Sequence, residues 1–350
     1  MNKNINNIIN ILDRVGSKII TVFGDYCLDK YLYIDTERNE PSLETGLIAY
    51  QVGEKRLFPG AGGTITNNLR ALGVPVMCVG LTGDDGEGYE LNKELQKIGA
   101  NTEFMIASKD ITTGTYIKPM QSAENGTYTE MNRIDFRNFK ETTAELESQL
   151  LEKLELALSF SHGVIIIDQF IERNFSVITD RIREKLAELA NLYPDKFFYA
   201  DSRGHAGLFR NVIIKCNQFE LPGDAQRSES RSENDIISAA KELSATSEKP
   251  VVVTIGSEGA YVIENNTASY VPAFKVDGPI DIVGAGDATN AGVIIGLTLG
   301  LTLPESVLLG GCVSSLTIEQ IGVTGTTTIE HIKKRLLEKS TDEAFCIKLL

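Results

Sequence analysis

Residues 281–290 read Asp281-Ile282-Val283-Gly284-Ala285-Gly286-Asp287-Ala288-Thr289-Asn290, and an apolar segment runs on from Ala288 to Leu301. Small residues in succession let a backbone turn tightly and approach a ligand closely. If the segment that follows is a helix, its first N–H groups point into the turn and carry partial positive charge, a geometry that holds an anion, most often a phosphate. Asp287 then has two readings. It is a base that takes a proton from an attacking hydroxyl beside a developing negative charge, or it caps a strand-to-helix turn.

Outward from this stretch the chain alternates. Residues 5–15 have helical spacing, and the apolar run 19–23 ends in Gly24-Asp25, as a buried strand does when it empties into a loop that carries a site. The pattern predicts helices over 64–72, 87–98, 141–158, 175–192 and 233–243. Strands are predicted over 74–79, 163–167, 197–200, 212–215, 251–255 and 260–263. Such alternation implies a doubly wound, mostly parallel α/β sheet with right-handed crossovers and ligands at the carboxyl ends of the strands. Residues 31–33 with 47–52, and 115–117 with 127–131, read as strands with no helix between them. They predict a small separate β sheet that serves as a lid or a dimer contact. The expected division is a main domain of 1–30, 53–112 and 136–350, with a lid of 31–52 and 113–135. The polar stretch 224–234 reads as a solvated loop, and the tail after Leu337 as a loosely ordered end.

Composition bounds the partners. The 350 residues are 42% hydrophobic, enough for a substantial core, and the formal net charge is −14. That charge argues against nucleic acid or an anionic membrane surface as the main partner. It leaves room for a phosphate-bearing ligand, which local N–H groups, a few basic side chains and a divalent cation can neutralise. The five cysteines form no C-x-x-C pair, so the expectation is reduced thiols in a cytoplasmic protein. The amino-terminal residues resemble no secretory signal, and no stretch is long and apolar enough to span a bilayer.

The Gly-Ala-Gly-Asp turn has company. Phe58-Pro59-Gly60-Ala61-Gly62-Gly63-Thr64 opens the first helix after the β excursion, and Gly83-Asp84-Asp85-Gly86-Glu87-Gly88 follows a strand. Asn217-Gln218-Phe219-Glu220 and Thr254-Ile255-Gly256-Ser257-Glu258-Gly259 follow two more. In this order and spacing the segments resemble the ribokinase-like, or phosphofructokinase B, carbohydrate kinases over residues 18–328. The resemblance implies transfer of the ATP γ-phosphate to a sugar or sugar-phosphate hydroxyl. It gives Asp287 the role of base and Gly284, Ala285 and Gly286 that of an anion hole. Asn217 and Glu220 match a motif that organises Mg²⁺ and phosphate, with Glu220 reaching the metal through water. A carboxylate oxygen suits Mg²⁺, and so does the plain alternative of an acidic residue in a helix's first turn. Thr254, Gly256 and Gly259 match the nucleotide loop, and Asp281 lies where relatives hold a monovalent cation such as K⁺, although it also suits a turn cap.

On the acceptor side, Asp29 takes the position that accepts sugar hydroxyls, which suits a polyol because a carboxylate accepts two such bonds. Gly60, Gly62, Gly63 and Thr64 form the second sugar segment. Lys118 and Arg133 are candidates for an acceptor phosphate or plain lid charges. Arg203 and Lys215 have the same two readings toward ATP. Cys27, near the proposed sugar site, reads as a packed thiol.

The sequence departs from the family at Thr64, where relatives carry Asn, at Ile282 for Thr, and at Gly311 for a common Asn. Gly24-Asp25 with Leu28-Asp29-Lys30-Tyr31, Pro59, and Arg133-Ile134-Asp135 resemble bacterial heptose-phosphate kinases within the family. The segments at 40–46 and 168–172 do not, so a heptose phosphate is one candidate acceptor. The resulting expectation is an ATP- and Mg²⁺-dependent sugar kinase, with a homodimer through the lid. The rival is a sugar- or nucleotide-binding regulator with the same fold and weak or no activity. A dinucleotide-dependent oxidoreductase ranks last, because the first strand leads into no Gly-x-Gly-x-x-Gly.

Overall fold

The computed structural model describes residues 3–122, 127–222, 231–342 and 344–350. In chain order the first elements are α1 (Lys3–Ile11), β1 (Ile20–Gly24), β2 (Tyr26–Ile34), β3 (Glu40–Pro41), β4 (Ile48–Ala49), β5 (Val52–Ala61), α2 (Gly62–Ala71), β6 (Val76–Gly83), α3 (Gly86–Lys97) and β7 (Asn101–Ser108). There follow β8 (Thr115–Ser122), β9 (Tyr128–Glu130), β10 (Ile134–Phe136), α4 (Ala144–Leu158), β11 (Gly163–Asp168), α5 (Asp180–Leu192), β12 (Phe197–Ser202) and β13 (Ile213–Asn217). The last are α6 (Glu233–Ser247), β14 (Val251–Thr254), β15 (Gly259–Glu264), β16 (Thr267–Pro272), α7 (Ala285–Thr298), α8 (Leu303–Thr317), α9 (Ile329–Lys339) and β17 (Lys348–Leu349).

Ten strands form one sheet in the order β17-β16-β15-β14-β13-β12-β11-β1-β6-β7. Neighbours from β14 to β7 are parallel, and β15, β16 and β17 close the other edge antiparallel. The buried strands alternate between two cores. On β11, Ile165 and Ile167 face α1, α2, α3, α7, α8 and α9, while Val164 and Ile166 face α4, α5 and α6. This is the doubly wound α/β sandwich that the alternation predicts.

The second sheet runs β10-β8-β2-β5, with β9 paired to β8. Its pairings are antiparallel except β2 with β8. Its strands run past the expected lid limits, since β2 begins at Tyr26 and β5 continues to Ala61. Of 47–52, expected as one strand, only Ile48–Ala49 is a strand before β5, and it pairs with β3 in a separate ribbon. The tail after Leu337 is also not loose. Helix α9 continues to Lys339, Phe345 is buried with its ring 4.7 Å from that of Phe274, and β17 pairs with β16. Residues 224–230 of the expected polar loop lie outside the described residues, and Glu233 opens α6.

Helix α7, mostly apolar after Asn290, is buried between the sheet and α8. A Cβ on Gly292 would lie 2.6 Å from the Gly310 Cα, so the two helices touch backbone to backbone. That contact fixes where the amino end of α7 points.

Candidate active site

Most helix starts here are closed by side chains. Asp85, Thr143, Thr179, Ser232, Thr302 and Thr328 cap α3, α4, α5, α6, α8 and α9. Helices α2 and α7 have no side-chain cap, and their starts adjoin. Gly284 begins α7 at φ +79, and a Cβ there would come 3.3 Å from the Thr64 methyl of α2. Ala61 begins α2 at φ 52, ψ −118, a strained conformation for a residue with a Cβ. Two helix starts without side-chain caps in contact make a concentrated source of positive potential at the carboxyl edge of the large sheet.

Asp287 lies half-buried in the first turn of α7. Burial pushes its carboxyl up to about 7 from an ordinary 3.8, with Asp201 and Asp29 adding to the rise and Lys215 and Arg203 opposing it. Those four groups mark what faces it. Asp201 comes from β12, Lys215 from β13, Arg203 from the loop after β12, and Asp29 from β2 of the small sheet. The anion turn therefore lies where the two sheets meet. A carboxylate poised near neutrality in such a place has the affinity a general base needs.

At the end of β13, the Asn217 side chain accepts the amides of Phe219 (2.8 Å) and Glu220 (3.1 Å). Glu220 Oε2 accepts the Asn217 amide at 2.8 Å, which leaves Oε1 for a ligand. Burial first, then Asp201, raises the Glu220 carboxyl, while Lys215 and Arg203 lower it. The Asp201 charge disfavours that of Glu220, and the buried Lys215 ammonium offsets both carboxylates. No set of three or more protein donors among the described residues forms a metal cage. Thr254 ends β14, with its hydroxyl 3.5 Å from the Cys216 carbonyl, and Gly256 and Gly259 carry the backbone into β15 at φ +64 and +118. Asp281 shows the turn-cap arrangement. It accepts the amides of Val283 (3.1 Å) and Gly322 (3.0 Å), and its own N–H donates to Ile318, tying the 318–322 loop to the turn.

On the small sheet, Phe58, Asp29, Tyr116 and Asp135 stand in register on β5, β2, β8 and β10 and so share one face. Lys118 pairs with Asp29 at 2.8 Å and donates to the Tyr31 hydroxyl at 3.0 Å. Arg133 lies over the Tyr116 ring and grips Asp135 through two bonds of 2.6 and 2.8 Å. Arg137 spans Asp135 and Glu172, each at 3.4 Å. Aromatic rings, a carboxylate and paired cations on one face suit a polyhydroxylated ligand. Gly60 makes room for this face, since a Cβ there would come 2.7 Å from Asp29 Oδ2. Gly62 donates its amide to the Asp25 carbonyl, and a Cβ on Gly63 would meet the Pro59 ring. Thr64 is buried, with its hydroxyl 3.4 Å from the Pro59 carbonyl. Cys27 is buried, and burial raises its thiol, so it is packed and protonated.

The structure thus brings Asp29, Thr64, Lys215 and Asp287 together, and places Asn217, Glu220 and Thr254 along the neighbouring strand ends. Sequence reading missed Tyr116, Asp135, Arg137, Asp201 and Asn290. Asp201 carried a signal, a carboxylate just past the predicted strand 197–200. Asn290 carried another, one helical turn after Asp287. The lid residues carried none, because strand register is needed to place them on one face.

A family model described as pfkB family carbohydrate kinase matches residues 22–330. The chain is 24% identical to the bifunctional protein HldE of Hyphomonas neptunium over 327 residues, 93% of this chain and 65% of that protein. It is 25% identical to the HldE of Gluconobacter oxydans over 330 residues, 91% of this chain and 64% of that protein. The chain therefore spans a little under two thirds of the length of these curated relatives. Among solved structures, Escherichia coli phosphofructokinase-2 in complex with potassium matches with a TM-score of 0.68 at 20% identity, over 92% of this chain and 99% of that one. Arabidopsis thaliana ribokinase complexed with ribose and ATP matches with a TM-score of 0.64 at 17% identity, over 93% and 99%. These two likenesses show the ribokinase fold.

Proposed function

The chain belongs to the pfkB family of carbohydrate kinases, and from that premise we propose that it transfers the γ-phosphate of ATP to a hydroxyl of a sugar or sugar phosphate. The observation that carries the reading is Asp287, raised to about 7 in the first turn of a helix that no side chain caps and facing Asp29 of the second sheet.

In this reading ATP lies along Asn217–Glu220, Thr254–Gly259 and Gly284–Asp287, and the acceptor lies under the small sheet against Asp29 and residues 60–64. Asp29 accepts hydroxyls and orients the ring. Asp287 takes the proton of the attacking hydroxyl as its oxygen closes on phosphorus, and the amides of the 284–287 turn collect the charge that gathers on the transferring group. Loss of one such donor typically lowers rate by about 10²–10³. Glu220 would hold Mg²⁺, which supplies charge neutralisation along the phosphates when bound. Asp281 and the loop it anchors would hold K⁺. The small sheet acts as a lid that excludes water, since ATP hydrolysis is the competing reaction. Pairing through the lid of a second copy completes the reading.

Lys118 and Arg133 are each paired with a carboxylate, so an acceptor phosphate meets them only in exchange for Asp29 or Asp135. The test is a screen of aldoses, ketoses and their monophosphates, heptose phosphates included, coupled to ADP release with Mg²⁺. The reading predicts acceptor-dependent ADP release with at least one sugar or sugar phosphate. Binding of nucleotide and sugar with no ADP from any acceptor would contradict it and favour the regulator.

A further inference from the structure

Beneath the Gly284–Asp287 turn, Tyr199, Asn290, Asp201 and Lys215 form a chain of polar side chains. Asn290 is fully buried, one turn after Asp287 on α7. Its Nδ2 donates to Asp201 Oδ2 at 2.5 Å, and its Oδ1 accepts from the buried Tyr199 hydroxyl at 3.2 Å. Asp201 Oδ2 also takes the Lys215 ammonium at 2.9 Å. Lys215 is 4% exposed, and its Nζ lies 3.1 Å from where a Cβ on Gly286 would be.

Donor and acceptor roles in this chain are fixed by chemistry. Burial and the Asp201 charge keep the Tyr199 hydroxyl protonated, so it donates. The oxygen of the Asn290 amide must then face Tyr199, and its NH₂ must face Asp201. One carboxylate oxygen therefore receives both the amide and the ammonium. That double contact pins the carboxylate, and the pinned carboxylate pins Lys215. A buried ammonium is placed by its counter-ion, and an ion pair of this kind repays its desolvation only where further hydrogen bonds hold the geometry. The ammonium lies on the turn that receives phosphate, on the side of Asp287.

We propose that Asn290 is a positioning residue for phosphoryl transfer: it clamps Asp201 and, through that carboxylate, holds the Lys215 ammonium against the Gly286 peptide where the terminal phosphate of ATP arrives. This rests on the kinase reading and adds a discrimination to it. The fixed ammonium favours a nucleotide that carries a γ-phosphate over one that does not.

The experiment is calorimetric titration of the full chain with MgATP and with MgADP, no acceptor present, for the unmodified protein, Asn290→Ala and Tyr199→Phe. Removal of a hydrogen bond to a charged group is expected to weaken MgATP binding about tenfold in Asn290→Ala. MgADP binding should change much less. Tyr199→Phe keeps the volume of the side chain and frees only the amide, and should shift MgATP in the same direction by a smaller factor. Equal weakening of both nucleotides in Asn290→Ala, or unchanged MgATP affinity in both variants, would overturn the proposal. If the unmodified chain bound no MgATP, the kinase reading itself would fall, and this inference with it.

Discussion

At the scale of single residues, the site is organised by charge that is costly to bury. Asp287 must be ionised to accept a proton, and burial beside Asp201 and Asp29 holds it near neutrality. Acceptor-dependent kcat/KM should therefore rise with pH up to about 7 and level off above it, as the base ionises. A profile flat from pH 5 to 8 would contradict the assignment. The same shift bears on stability. The folded-state value of about 7 lies above the ordinary 3.8, so the folded protein binds more protons between those values and the stability lost to this group grows with pH across that window. Asp287→Asn should raise the melting temperature at pH 8, with a gain that shrinks as pH falls toward 4, which scanning calorimetry at several pH values would show. The turn at Gly284–Gly286 and the helix it opens were legible in the sequence, because successive small residues before an acid mark a tight helix start. Asp201 and Asn290 were not singled out, because a buried polar side chain announces its partner only once the strands and α7 are set side by side.

At the scale of elements, the site is placed by packing at some distance from it. The backbone contact of α7 with α8 at Gly292 and Gly310 sets the angle at which α7 delivers its amino end. Gly292→Ala would push a methyl to 2.6 Å from the Gly310 Cα, and a core overpacked in this way typically loses about 1–3 kcal/mol. Urea unfolding should show a lower midpoint, and kcat should fall although the residue touches no ligand. An unchanged midpoint would mean that the helices part freely. The central strands were readable as continuous apolar runs buried on both faces, and the amphipathic helices because their apolar residues recur every 3.6 residues. Helix α8 was not, since it is apolar on every side. The edge strands β7 and β17 and the neighbouring β16 are partly or fully exposed and give a weak pattern. The carboxyl-terminal segment is held by contacts such as Phe345 on Phe274 and the β17–β16 ladder, which leave no period to read.

At the scale of the whole molecule, a ten-stranded sheet presents a row of strand ends, which the proposed reading assigns to the nucleotide, and a second sheet carries a carboxylate and aromatic rings on one face. The small sheet and its ribbon also expose Leu47, Ile48, Tyr50, Ile134 and Phe136. Exposed apolar side chains on a lid offer a surface to a second copy. Sedimentation should show a dimer that Ile134→Asp with Phe136→Asp converts to monomer, and a monomeric unmodified chain would contradict the lid contact. Both sheets converge on Asp287, and the account stands or falls there. The most direct measurement is the pair of acceptor-dependent kcat and MgATP affinity in Asp287→Asn. The account predicts a kcat lower by about 10²–10⁴ with MgATP affinity preserved. A variant that turns over at close to the unmodified rate would contradict it.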